Sequence, residues 1–98
     1  MDEIDLTDYS DELHMVSAQL REALPAKLRD ECDEVEIGQK DNEEALIRFS
    51  FIHLPAPVGV EVPTEHLVPP VHPGHIMGWA QMAAQKCAQY DRYGSHNN

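Results

Sequence analysis

Three histidines, His66, His72 and His75, stand in the stretch HLVPPVHPGHIMGWAQ, and Cys87 follows within the same C-terminal segment. Imidazole nitrogens and a thiolate are the ligands that zinc prefers, and His72-x2-His75 has ligand-like spacing. A structural zinc site normally joins two tight ligand pairs, and the second pair is missing. Cys32 and Cys87 lie far apart in the chain and match neither a metal knuckle nor a disulfide framework. A small metal- or thiol-dependent domain built on His72, His75 and Cys87 is therefore a competing reading. The expected state is no metal and no cofactor, with the histidines in loops and on the surface.

Catalysis finds still less support in the sequence. A thiol nucleophile needs a histidine and an orienting carboxylate beside it, and no local pattern holds such groups together. Glycine-rich phosphate loops, GxSxG and HExxH are all missing. The carboxylates are bunched in charge runs rather than paired in apolar surroundings. The expectation is a protein that is not an enzyme.

Charge distribution is the more informative chemistry. The net charge is −11, and residues 1–44 hold fifteen acids against four bases. Residues 45–98 hold three of each, so all the excess lies in the first half. Such a field repels nucleic acid and anionic membranes and attracts basic surfaces. Direct nucleic-acid binding is excluded on this ground, because phosphate contacts need clustered Lys and Arg. The candidate partner-binding residues are Asp8, Asp11, Glu12, Glu22, Asp30, Glu31, Asp33, Glu34, Glu36, Asp41, Glu43 and Glu44. They suit a protein partner with a basic surface. The most concrete form is an inhibitor that mimics nucleic acid and blocks a nucleic-acid-binding protein, of the kind viruses and mobile elements encode.

The elements that must position these groups can be read from periodicity. Ninety-eight residues make one domain with a modest core. Tyr9, Leu13, Val16, Leu20 and Leu24 recur at helical spacing, and Pro25 must break that helix. Leu28 stays on the buried side of the turn that follows. Val35 and Ile37 alternate with acids, GQKDNEE supplies turn residues, and ALIRFSFIHL alternates again, which predicts a β-hairpin. Ile47, Phe49 and Phe51 share the face that meets the helices, and Arg48, Ser50 and Ile52 share the other. Val58, Val60 and Val62 predict a short third strand, confined to an edge by Pro57 and Pro63.

The last element is an amphipathic helix from about Pro73 to Tyr93. Ile76, Trp79, Ala80, Ala83, Cys87 and Tyr90 lie on its core arc, and Gln81, Gln85, Gln89 and Arg92 lie opposite. Gly94 is placed as its C′ cap. A third reading is self-association through the glutamine face, giving a homodimer.

The predicted fold class is α+β, a small α-β-β-(β)-α domain with two helices on one face of a two- or three-stranded antiparallel sheet. Residues 1–7 are expected as an acidic disordered tail, 8–94 as the domain and 95–98 as a second tail. Residues 55–74, holding six of the seven prolines, are expected to be a proline-rich extended connector. This order of elements is shared with double-stranded-RNA-binding domains, but the last helix lacks the lysine cluster that would face phosphates, so the likeness stops at topology. The chain has no run of about 18 apolar residues and no leader-like start, so a cytoplasmic setting without membrane contact is expected.

Overall fold

The structure, a computed structural model, describes the backbone of residues 3–96 and the side chains of residues 3–90. Its elements are a 3-10 turn at Leu6–Tyr9, helix α1 at Ser10–Glu22, helix α2 at Ala26–Glu31, strands β1 (Cys32–Gln39), β2 (Glu44–Phe51) and β3 (Val58–Pro63), a 3-10 turn at Thr64–Leu67, and helix α3 at Pro73–His96. The strands form an antiparallel meander in the order β1-β2-β3. Helices α1 and α3 pack on one face of it and on each other. The α+β arrangement predicted from periodicity is the one observed.

The core follows from the alternation of the strands. Ala45, Ile47, Phe49 and Phe51 of β2, with Val58, Val60 and Val62 of β3, are buried under the helices. Leu13, Val16 and Leu20 of α1 meet them, together with Leu24 beyond its end. Ile76, Trp79, Ala80, Ala83 and Cys87 of α3 complete the layer. Pro25 separates α1 from α2, and Leu28 is half-buried as its position implied. Ile52, on the opposite face from Phe51, is 74% exposed.

Strand β1 carries a feature that simple alternation does not show. Cys32 pairs with Phe51 and Glu34 with Ser50, so two steps along β1 match one step along β2. Asp33 is the extra residue of a β-bulge. Cys32 and Val35 are three apart and would face opposite sides of a regular strand. With the bulge, Cys32 is buried and Val35 and Ile37 lie on the same helix-facing side.

Four expectations are corrected. Residues 1–7 were expected as a disordered tail, yet Leu6 is buried, and the Leu6 and Ile4 N–H groups donate to Gln39 Oε1 (2.8 Å) and Asn42 Oδ1 (2.6 Å). Polar side chains at the hairpin end thus pin the chain from Ile4 onward. The connector expected over 55–74 is taken up in part by β3, the short third strand that Val58, Val60 and Val62 predict, and by a 3-10 turn, with those valines buried against the helices. The Pro69–Pro70 peptide bond is cis and lies in the short remaining link to α3.

Gly94 is not a C′ cap, since α3 runs to His96. Tyr90, placed on the core arc, is 43% exposed. A helix of 24 residues is about 36 Å long, whereas an eight-residue strand spans about 27 Å, so the end of α3 outruns the sheet. Residues 1–2 and 97–98 of the expected tails and the side chain of Arg92 lie outside the described residues.

Candidate functional site: the groove between α1 and the β1 edge

The hairpin turn fixes the first boundary of the site. Asp41 Oδ1 accepts the N–H groups of Glu43 (2.9 Å) and Glu44 (2.8 Å), and these two bonds hold its carboxyl below the usual carboxylate range. Buried Thr64 donates its hydroxyl to the Asp41 carbonyl at 2.9 Å, tying the turn to the end of β3. Gln39 Nε2 donates to the carbonyls of Ile4 and Asp41. The start of the chain therefore crosses the Gln39 end of β1.

From that end to the bulge at Asp33, β1 runs beside α1 with an open groove of about 520 Å³ between them. Its floor is apolar, formed by Leu6, Leu13, Val35 and Ile37. Val35 and Ile37 are only half-buried, although their partners across the sheet, Phe49 and Ile47, are fully covered. Small side chains on the α1 wall, Ser10, Ser17 and Ala18, leave this space. His14 and Arg21 stand on the same wall, and Asp33, Glu34 and Glu36 line the strand side. Among the described residues no strand pairs with the outer side of β1, so a row of backbone donors and acceptors is available there.

The twelve candidate acids are not brought onto one surface. Asp33, Glu34 and Glu36 line the groove, while Asp8, Asp11, Glu12 and Glu22 do not. Glu22 pairs with Arg29 at 3.3 Å, and Glu31 pairs with His53 at 3.0 Å. Asp30 lies on α2, and Glu43 lies in the turn beside Asp41. Glu44 pairs with Lys40 at 3.7 Å and shares a hydrogen bond with Glu61 that raises its carboxyl above the ordinary range. Sequence reasoning thus found the acidic region. It missed the groove, the bulge and the small-residue wall of α1, none of which has a pattern along a single element.

The histidines do converge, although not as ligands. The rings of His66 and His75 stack at 4.3 Å with 15° between planes, and His75 stacks in turn on Trp79 at 5.4 Å. Parallel stacking turns the ring faces, not the nitrogens, toward each other. His72 Nδ1 accepts the Gly74 N–H at 2.9 Å, and its carbonyl accepts from His75 and Ile76, so it serves as the N-cap of α3. Cys87 sits in the core twelve residues along α3 from His75, about 18 Å away by helical rise. Among the described residues no group of three or more His, Cys, Asp or Glu is arranged to hold a metal ion. Cys32 is buried too, and burial pushes its thiol above the ordinary value, which works against thiolate chemistry.

Among the described residues no helix is long and apolar enough to cross a membrane. No family model, curated protein or solved structure matches the chain.

Proposed function

We propose that this chain is a non-catalytic protein-binding module that engages a basic partner through the groove between α1 and β1. The observation that carries this reading is the groove itself: a half-covered apolar floor beside an acid-lined sheet edge. Apolar floor and charged rim are the ordinary composition of a protein interface, and concentration of the charge of −11 in the first 44 residues steers a cation-rich surface toward it. Surfaces with enough clustered Lys and Arg are those that bind phosphate backbones. The partner class we name is therefore a nucleic-acid-binding protein, whose site the acidic half occupies.

The test is affinity capture with the immobilised full chain from cells of its source, followed by titration of the purified captured protein. Retention at low ionic strength, release at about 0.5 M salt and displacement by duplex nucleic acid are the expected results. The variant Asp33→Asn/Glu34→Gln/Glu36→Gln should lose the interaction, since these exposed acids stand on the strand that bounds the groove. Capture of the same proteins by this variant, or no dependence on salt, overturns the reading.

A further inference from the structure

The two edges of the sheet are not equivalent. Strand β3 has six residues, ends in Pro63, and has its Gly59 carbonyl occupied by Lys86 Nζ at 2.6 Å. Proline and a lysine at an edge are devices that discourage pairing. Strand β1 has eight residues, no proline and a groove beside it. Its usable part is bounded by the bulge at Asp33 and by the chain start crossing at Gln39. The window that remains, Glu34–Gly38, is about 17 Å of strand.

Within that window the side chains alternate strictly. Val35 and Ile37 face the groove, and Glu34 and Glu36 face the open side of the sheet. We infer that β1 accepts an extended segment of the partner as a fourth strand, and that this segment alternates apolar and basic residues. The inference rests on the binding function proposed above and specifies its mode.

The physical reason is the two-residue period of a strand. Residues of the incoming strand opposite Val35 and Ile37 must enter the groove against Ser10, Ser17 and Ala18, where apolar side chains of moderate size complete the floor. Residues opposite Glu34 and Glu36 emerge on the open face, where Lys or Arg meets a carboxylate directly across the ladder. Such opposite-charge cross-strand pairs stabilise a sheet and like-charge pairs weaken it. Main-chain bonds supply affinity, and the alternate side chains supply selectivity. The same rule disfavours a second copy of the chain as occupant, because antiparallel β1-to-β1 pairing sets Glu34 and Glu36 against their own copies.

The probes are three capped seven-residue peptides used with the intact chain at low salt: one alternating lysine and valine, one with the four lysines and three valines in separate blocks, and the alternating one N-methylated at every second residue, made in both registers. Binding is followed by amide shifts and by hydrogen exchange of the protein. The alternating peptide should bind at least about tenfold more tightly than the blocked one and slow exchange within Glu34–Gly38. One register of N-methylation should abolish this, and Glu34→Gln/Glu36→Gln should weaken it. Equal binding of alternating and blocked peptides without protection of β1 overturns strand addition while leaving the charge-driven function intact. Protection at β3, or concentration-dependent protection of β1 with no peptide present, overturns it also. No binding by any peptide, together with no capture of a basic partner, removes both readings.

Discussion

Asp41 and Glu44 stand three residues apart in one hairpin and shift in opposite directions for reasons that lie in their hydrogen bonds. Asp41 accepts two backbone N–H groups, so its charged form is favoured in the fold. Its contribution to stability is complete above the ordinary carboxylate value and is lost as pH falls through its lowered one. Glu44 shares a hydrogen bond with Glu61, and two carboxylates in contact cannot both ionise freely. Its raised value has the opposite consequence: the stabilisation is present at low pH and fades as pH rises past the ordinary glutamate value of 4.5. Glu61→Gln keeps a donor for Glu44 and removes the second charge. Thermal melts from pH 4 to 7 should show a gain in Tm for this variant that grows with pH. A lower Tm at pH 7 with an unchanged pH profile would refute the assignment. At this scale the sequence shows which residue types are present but not their pairing. His72 and His75 have metal-ligand spacing, yet stacking with His66 and Trp79 sets the geometry of His75, the Gly74 N–H sets that of His72, and His66 arrives from a different turn.

At the scale of elements, the central strand carries the fold. Phe49 is wholly buried between β1 and β3 and beneath the helices, whereas Ile52 just beyond β2 is 74% exposed. Phe49→Ala should cost about 3–5 kcal/mol from lost burial and the cavity left behind. That is a large share of the total stability of about 5–15 kcal/mol usual for a domain. Ile52→Ala should change stability by less than about 0.5 kcal/mol. Urea unfolding followed by circular dichroism measures both, and equal losses for the two would contradict the strand's orientation. Alternation along β2 and β3 and the helical spacing of α1 and α3 were legible because each reflects one element's own period. The bulge at Asp33 was not. Its evidence is a mismatch between two strands, and β1 alone, with its acids interleaved, accommodates either register.

For the whole molecule, the net charge of −11 means that folding gathers like charges, and the compact state pays for this in self-repulsion. Salt screens such repulsion over a Debye length of about 10 Å at 0.1 M. Raising sodium chloride from 10 mM to 0.5 M should therefore stabilise the chain by about 1 kcal/mol, or about 4–8 °C in Tm for a domain of this size. A flat or falling Tm would mean that the ion pairs of Glu22 with Arg29 and Glu44 with Lys40 outweigh the repulsion. The sequence by itself determined the class of fold, the faces of β2, β3 and two helices, and the acidic character of the first half. Periodicity and net charge are sums over neighbours in the chain, so no tertiary contact is needed to see them. Only the tertiary structure decided that α1 leaves part of β1 uncovered, that the bulge at Asp33 puts Cys32 on the same face as Val35 and Ile37, and that Lys86 and Pro63 close the other edge. These depend on distances between residues remote in sequence, where packing of one element against another sets which edge stays open.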